Sequence, residues 1–171
     1  MPNWCFNSVS ITGDEKGLKA FKKLVKGQVH EDDNGPQDFC FDRVVPMPDD
    51  IKKTTSPNNV FDTQAEVDAF YERIKKDDFP MKRYAHTQAQ VDEMEKKHGA
   101  TNWYDWCIKN WGVKWDASSP ELTEFSHKLE YQFETPWGPP EEIFEALKER
   151  FPNLDISWYY NEPGMEFDGF L

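Results

Sequence analysis

Apolar and polar residues alternate with two different periods along this chain, and the period predicts where strands and helices lie. Alternation of period two predicts a first strand over Trp4–Thr12. A helix is predicted between Asp14, a suitable N-cap, and Gly27, since apolar residues recur there every three or four positions. A second strand is predicted over Phe39–Val45, and the proline at Pro46 ends it.

The C-terminal part of the chain continues this order of elements. Alternation over Thr123–Thr135 predicts the longest strand, with one face buried and the other in water. His127 lies at an inward position of this strand and is predicted to be half-buried and hydrogen-bonded. A helix is predicted after Pro140, because proline is accepted in the first turn. A last strand follows over Leu154–Tyr160, with Met165–Leu171 as a short hairpin partner.

Polar residues that cap helices dominate the middle of the chain. Three such signals indicate helix starts: the capping boxes of Thr63 with Glu66 and of Thr87 with Gln90, and the N-cap Asn102. These helices lie between the second and third predicted strands. We therefore interpret residues 62–111 as a helical insertion.

The order strand, helix, strand, insertion, strand, helix, strand is that of the ferredoxin-like split βαβ fold. The sequence thus predicts an α+β protein with an antiparallel sheet and two packed helices. The helical insertion falls between strands 2 and 3. All of it is predicted to form a single ferredoxin-like domain over residues 1–171.

Charge is distributed unevenly over these elements. The protein has 32 acidic and 20 basic residues and a formal net charge of −12. Residues 116–171 hold 13 acids and three bases, so most of the excess lies there. Such a surface repels phosphate backbones and attracts basic partners.

The acidic residues of this last third occupy predicted solvent-side positions on two strands and a helix, and they include Glu121, Asp155 and Glu162. Carboxylates on a rigid scaffold can imitate nucleic-acid phosphates and fit a basic groove. We predict a partner-binding acidic face made of Glu124, Glu130, Glu134, Glu141, Glu142, Glu145 and Glu149. A surface that serves solubility alone explains the same residues.

Tryptophan is concentrated in one segment. Four of the seven tryptophans lie within Asn102–Ala117: Trp103, Trp106, Trp111 and Trp115. Trp111, Lys114, Trp115 and the later Trp137 are candidates for an aromatic binding platform, in which Lys114 makes a cation–π contact. Alternatively, Trp111 and Trp115 pack the insertion onto the sheet.

The predicted strands carry further aromatic residues, which suggest a second kind of function. A ferredoxin-like sheet that exposes aromatic side chains can stack nucleic-acid bases. The residues concerned are Phe39, Phe41, Tyr131, Phe133, Trp158 and Tyr160. Their position on the predicted buried face, and the glutamates on the other face, oppose this interpretation.

No motif in the chain marks a known class of catalysis. The sequence therefore predicts no catalytic residues, no metal site and no cofactor. The three cysteines, Cys5, Cys40 and Cys107, have neither metal-site nor disulfide spacing and are predicted to be buried in a reducing compartment. There is no leader pattern after Met1 and no apolar run of the roughly 20 residues that a membrane span needs. A cytoplasmic location is expected.

Several short motifs, spread over nearly the whole chain, resemble those of one family. They are Pro2-Asn3-Trp4-Cys5 with Asn7 and Gly13; Val45-Pro46-Met47-Pro48; Asn110-Trp111-Gly112 with Lys114-Trp115-Asp116; and Thr135-Pro136-Trp137 with Pro139-Pro140. Together they resemble the ferredoxin-like domain family of plasmid and prophage proteins typified by YubB, with its Api-type phage relatives. The resemblance implies the fold and an origin on a mobile element. It implies no activity and no catalytic residue.

Charge and resemblance together lead to one hypothesis and one alternative. The hypothesis is a phage- or plasmid-encoded, non-enzymatic interaction protein in the cytoplasm of a bacterial host. Its partner would be a host protein with a basic surface, such as a defence or nucleic-acid-handling protein, which the acidic face would inhibit by imitating nucleic acid. Neither a membrane nor nucleic acid itself is an expected partner. The alternative is a single-stranded nucleic-acid-binding module that uses the sheet aromatics.

Overall fold

The computed structural model describes residues 3–28, 35–75 and 83–171. The described part of the chain contains seven strands and seven helices in the following order. They are β1 (Trp4–Thr12), α1 (Glu15–Val25), α2 (Phe41–Val44), α3 (Asp49–Lys52), β2 (Asn59–Phe61), α4 (Gln64–Ile74), β3 (Ala85–Thr87), α5 (Gln88–His98), α6 (Trp103–Trp111), β4 (Ser118–Phe125), β5 (Lys128–Pro136), α7 (Glu141–Arg150), β6 (Asp155–Glu162) and β7 (Phe167–Phe170).

Two compact units make up the chain. Unit 1 comprises Met1–Pro46 and Lys109–Leu171, and unit 2 comprises Met47–Ile108. The single-domain organisation with an insertion over residues 62–111 stays a prediction.

Unit 1 is built on a five-stranded sheet with the order β4-β5-β1-β6-β7. Every neighbouring pair in it is antiparallel. The mixed α+β class and the antiparallel sheet predicted from the sequence are confirmed. The central strand β1 is where the alternation predicted it, and its inward residues Cys5, Val9 and Ile11 are fully buried.

Two longer helices pack on one face of this sheet. Asp14 caps α1, because its carboxylate accepts the Gly17 N–H at 2.9 Å. The ring centroids of Phe21 in α1 and Tyr131 in β5 are 6.0 Å apart, and those of Phe144 in α7 and Trp158 in β6 are 5.9 Å apart. Aromatic rings in contact thus form a large part of the core between the helices and the sheet, together with aliphatic side chains such as Val9, Leu18 and Ile143.

The strand predicted over Phe39–Val45 is wrong. Phe41–Val44 forms the short helix α2, and the Asp116 carboxylate accepts the N–H groups of Phe41 and Asp42 at 2.6 and 3.1 Å. Both Phe39 and Phe41 are fully buried, which imitates the period of a strand. The distant acceptor Asp116, which local pattern cannot indicate, stabilises the helical start.

The single strand predicted over Thr123–Thr135 is also wrong in part, because the chain reverses within it. Phe125 pairs with Lys128 across a two-residue turn at Ser126 and His127, so that β4 and β5 form a hairpin. His127 is exposed in that turn and is not the half-buried strand residue that the alternation predicted. The turn contains no glycine, asparagine or proline, so Ser126 is the one weak turn signal that the sequence carries there.

Unit 2 combines helices with a small parallel sheet. Strands β2 and β3 pair in parallel, and Val67, Phe70 and Ala85 form its buried cluster. The capping boxes predicted at Thr63 and Thr87 are both present at the starts of α4 and α5. Asn102 also caps as predicted, since its Oδ1 accepts the Asp105 N–H at 3.0 Å.

Candidate functional site

The two faces of the five-stranded sheet differ, because the helices cover one of them and leave the other accessible. The helix-free side carries the even-numbered residues of β1 and their cross-strand partners, and we call it the open face. Its exposed or half-buried members are Trp4, Phe6, Ser8, Ser10, Thr12, Ser118, Glu121, Thr123, Phe125, Lys128, Glu130, Gln132, Glu134, Asp155, Ser157, Tyr159, Asn161, Asp168 and Phe170.

The open face is strongly acidic. Its carboxylates are those of Glu121, Glu130, Glu134, Asp155 and Asp168, and its only cation is Lys128, a net charge of −4. Lys128 forms an ion pair with Glu130. Glu121 and Glu134 lie on the neighbouring strands β4 and β5. Glu121 is paired with the neutral Gln132, and Glu134 lies two residues further along β5. This side of the face therefore presents uncompensated negative charge.

Large aromatic side chains are exposed on the same face. Phe6 on the central strand is 39% exposed, Phe125 is 53% exposed and Phe170 is 70% exposed. The ring of Tyr159 lies 5.3 Å from that of Phe170. The Tyr159 hydroxyl donates to Asp168 Oδ2 at 3.3 Å, which fixes the orientation of the phenol. Aromatic side chains are enriched in protein-binding sites relative to the rest of a protein surface.

The structure divides the predicted acidic face between the two sides of the sheet. Glu130 and Glu134 lie on the open face. Glu124 is registered opposite the buried Leu129 and therefore belongs to the helix side, where Lys22 Nζ lies 2.5 Å from its Oε1. Because Lys22 neutralises the Glu124 carboxylate, Glu124 contributes less negative charge to an interaction with a partner.

The other four predicted acidic residues, Glu141, Glu142, Glu145 and Glu149, are exposed on α7, which packs on the opposite side of the sheet. Glu145 Oε1 lies 3.6 Å from Lys148 Nζ, an exposed pair of small energetic value. Alternation predicts which side of one element faces water. The α7 glutamates and Glu134 nevertheless point in opposite directions, because the sheet lies between them. They form two separate acidic surfaces.

The predicted aromatic platform is likewise divided. Trp111 is buried; its Nε1–H donates to the Val45 carbonyl at 2.9 Å and its ring lies 6.0 Å from that of Phe41. It therefore contributes to the core of unit 1 and presents little surface to a partner.

Lys114 and Trp115 make the predicted cation–π contact, with Lys114 Nζ 4.3 Å from the ring centroid. The Trp115 ring, 39% exposed, lies 6.3 Å from that of Trp4 at the end of the open face. Trp137 is 53% exposed and has a φ of 73°. Its N–H donates to the Asn3 carbonyl at 2.9 Å, so it lies at the same end of the sheet as Trp4.

Five of the six sheet aromatics proposed for base stacking are buried and not available for it. Phe39, Phe41, Tyr131, Phe133 and Trp158 are buried among the helices. Tyr160 is half-buried against Phe167, with ring centroids 5.9 Å apart. Glu162 is predicted on the solvent side but is fully buried. Its carboxylate accepts the N–H groups of Gly164 and Met165 in the β6–β7 turn, and these hydrogen bonds replace those that water would make.

The buried polar groups of unit 1 serve its structure. Asn7 donates to the Cys5 carbonyl and to Thr135 Oγ1, and its Oδ1 accepts the Trp158 Nε1–H at 3.0 Å. Burial raises the pKa of the Cys5 thiol to about 11 and that of Cys40 to about 12. Both thiols are therefore protonated at neutral pH and are poor nucleophiles.

No group of three or more potential ligands close enough to hold a metal ion is found within residues 3–28, 35–75 and 83–171. Over those same ranges, no helix is long and apolar enough to cross a membrane.

Reasoning from sequence missed the open face as a unit. Phe6, Tyr159, Asp168 and Phe170 were not candidates, although the alternation in β1 does place Phe6 opposite the buried side. Their proximity depends on the strand order, which joins the first strand of the chain to its last two. The alternation of β6 was the available signal, since Tyr159 lies at an outward position beside the buried Trp158.

Comparison with known proteins agrees with this architecture. The family model described as a ferredoxin-like domain in Api92-like proteins matches residues 110–169. A crystal structure of the protein api92 from Yersinia pseudotuberculosis is similar over 99% of this chain and 93% of that chain, with a TM-score of 0.57 and 12% sequence identity. No curated protein matches the chain. At this identity the structural likeness shows the fold alone.

Proposed function

We propose that this protein is a non-enzymatic binding protein whose open face docks onto a cationic surface of another protein. One observation supports this most directly: the open face combines exposed Phe6, Phe125 and Phe170 with five carboxylates and one lysine. Aromatic residues dominate the energetics of interface centres, whereas surrounding charges set the partner and the association rate. A rigid sheet holds both in fixed positions.

The scaffold of this surface is, in this proposal, a split βαβ arrangement. One half consists of β1, α1 and β4, and the other consists of β5, α7 and β6. The strand order β4-β5-β1-β6 supports it, since each half then contributes one central and one outer strand to this four-stranded part of the sheet. Residues 26–117 lie between α1 and β4, so the inserted segment precedes the second strand of the fold and does not follow it.

The charge of the open face selects the class of partner. Proteins that handle nucleic acids present lysine and arginine to phosphates, and a net charge of −4 on one face suits such a surface. The resemblance to mobile-element proteins adds a setting in a bacterial cytoplasm, where the partner would be a defence or nucleic-acid-handling protein that this binding inhibits.

Single-stranded nucleic acid is the second candidate ligand, and it now depends on other residues. Phe6 and Tyr159 lie on the central strands β1 and β6 of the open face, where bases could stack. Glu130 and Glu134 lie on the same face and would repel the phosphate backbone. Electrostatics therefore favours a protein partner over an oligonucleotide.

A pair of matched charge reversals tests the proposal. The full chain is used as bait in bacterial lysate, the captured protein is identified and purified, and its affinity is measured at low and high salt. The open-face variant is Glu130→Lys with Glu134→Lys. The matched control is Glu145→Lys with Glu149→Lys on α7, which changes the same charge on the opposite side of the sheet.

We expect the open-face variant to lose about tenfold or more in affinity and the α7 control to change by less than about twofold, since long-range charge effects are screened within roughly 10 Å. Equal losses, or a loss in the α7 variant alone, would contradict docking by the open face. Binding of a single-stranded oligonucleotide at low salt that Phe6→Ser abolishes would instead support the second candidate.

A further inference from the structure

Unit 2 contains an open cleft of about 500 Å³, a volume in the range of small-ligand sites. It is lined by Lys53, Gln64, Val67, Tyr71, Arg83, Tyr84, Ala85, His86 and Gln90. The charged side chains among these described residues are basic, and no aspartate or glutamate is among them. This is unusual in a chain with a net charge of −12.

The fold brings two helix starts to this cleft. Because β2 and β3 are parallel, their carboxyl ends lie at the same edge, and α4 and α5 begin directly after them. Gln64 is the first residue of α4 and Gln90 is the third of α5, and both line the cleft. The first turn of α5 contains no acidic residue, whereas that of α4 contains Glu66, and the capping boxes at Thr63 and Thr87 already accept the N–H groups of Glu66 and Gln90.

Hydrogen bonds hold the cleft walls in place. His86 Nε2 lies 2.8 Å from the Lys53 carbonyl, and because a carbonyl only accepts, this nitrogen carries the hydrogen. Tyr71 OH accepts the Ala85 N–H at 3.0 Å and donates to the Ala85 carbonyl at 3.3 Å. Asn59 Nδ2 donates to the Tyr84 carbonyl at 2.8 Å. These bonds order the backbone of Lys53, Tyr84 and Ala85 along the wall of the cleft.

We propose that this cleft binds a small phosphate monoester carried on a planar or apolar group. Lys53 and Arg83 would hold the phosphate, since charge-assisted bonds to phosphate are the strong ones and guanidinium offers two parallel donors. Val67, Tyr71 and Tyr84 supply the apolar and aromatic part of the lining for the rest of the ligand.

A second cleft, of about 400 Å³, shares Lys53, His86 and Gln90 with the first and contains Asp49, Asp50 and Glu93. Its carboxylates disfavour an anion there. Asp50 is already engaged by His98 and Lys97, at 2.9 and 3.4 Å. The phosphate therefore belongs on the Arg83 side of the shared wall.

Calorimetric titration of the full chain with inorganic phosphate, a nucleoside monophosphate and the matching nucleoside tests the proposal. The variants are Lys53→Gln and Arg83→Gln, with Lys53→Arg to restore the charge. The control is Lys96→Gln, which removes an exposed charge of α5 outside the cleft. Circular dichroism confirms that each variant is folded.

We expect the monophosphate to bind, each glutamine variant to weaken binding about tenfold, Lys53→Arg to restore it, and Lys96→Gln to change it less than about twofold. Tighter binding of the monophosphate than of inorganic phosphate would support a ligand with a planar group. No heat from the phosphates, equal binding of the nucleoside, or an equal loss in Lys96→Gln would overturn the proposal. Because none of these residues lies on the open face, failure here leaves the protein-binding proposal unaffected.

Discussion

At the scale of single residues, buried polar side chains determine where some helices and strands begin, which the hydrophobic pattern does not predict. Asp116 is the clearest case: its carboxylate accepts the N–H groups of Phe41, Asp42 and Ala117, and Cys40 Sγ lies 3.4 Å from it. Burial raises the pKa of Asp116, although the N–H groups lower it in part. One side chain thus satisfies the start of α2 and the entry into β4.

Asp50 in unit 2 gives a prediction for the pH dependence of stability. Burial raises the pKa of Asp50, but the hydrogen bond and charge of His98, with Ile51 N–H and Lys97, lower it more, so that it lies below the ordinary value of 3.8. A lowered carboxyl pKa contributes stability above 3.8 that is lost as the pH falls through the folded-state pKa. Asp50→Asn should therefore cost about 0.5 kcal/mol at neutral pH, a value limited by solvent screening of this partly exposed group.

Urea denaturation of the wild type and of Asp50→Asn between pH 7 and pH 3 measures this difference. It should shrink as the pH falls below 3.8, where Asp50 of the unfolded state becomes neutral, and vanish below the lower folded-state pKa, where Asp50 is neutral in both states. Asp49→Asn is the control, since Asp49 forms no ion pair with a described residue. A difference that stays constant with pH would show that Asp50 acts through packing and not through charge.

At the scale of elements, the ends of helices and strands decide the geometry of unit 1. α6 ends at Trp111, and Gly112 follows with a φ of 78°, in the left-handed region that favours glycine. A Cβ on Gly112 would lie 2.1 Å from Glu142 Oε2 and 3.2 Å from the Glu141 backbone nitrogen at the start of α7. The close approach of this turn to α7 therefore requires the absence of a side chain.

Gly112→Ala should lower the free energy of unfolding by about 1–2 kcal/mol, mainly from left-handed backbone strain and partly from the displaced start of α7. Gly138→Ala is the matched control, because a Cβ there has no described heavy atom within 4 Å and its φ is not positive. It should change stability by no more than about 0.5 kcal/mol. Denaturant midpoints compare the two, and equal losses would contradict this account of the turn.

At the scale of the whole molecule, the composition sets the net charge, and the fold sets where the charged residues lie. The net charge of −12 is a property of composition, and the exposed ion pairs, such as that of Lys19 with Glu15, offset little of it. The sheet determines how the acidic residues divide between the open face and α7. Repulsion among carboxylates therefore acts over two surfaces, of which one is proposed to meet a partner.

This excess charge predicts that salt stabilises the fold. Raising sodium chloride from low concentration to about 0.5 M should raise Tm by roughly 2–4 °C, because screening weakens the repulsion among acidic groups more than it weakens the few exposed ion pairs. Differential scanning calorimetry measures the shift. An uncharged osmolyte at equal osmolality is the control, and a Tm that falls with salt would show that favourable ion pairs dominate.

The sequence by itself determined the elements whose signals are local. The capping boxes at Thr63 and Thr87 and the N-caps Asp14 and Asn102 lie where the pattern predicts them, since each depends on residues a few positions apart. The α+β class with an antiparallel sheet followed from the strand β1 and the alternation over β5 and β6.

Only the tertiary structure decided the features that depend on distant contacts. Phe41 became helical because Asp116, 75 positions away, accepts its N–H, and the hairpin at His127 formed with Ser126 as its one weak turn signal. Strand order joined Phe6 of β1 to Glu134 of β5 and Asn161 of β6, and it separated the glutamates of α7 from those of the sheet. Alternation gives the side of an element that faces water, but which sides lie together is set by packing between residues far apart in the chain.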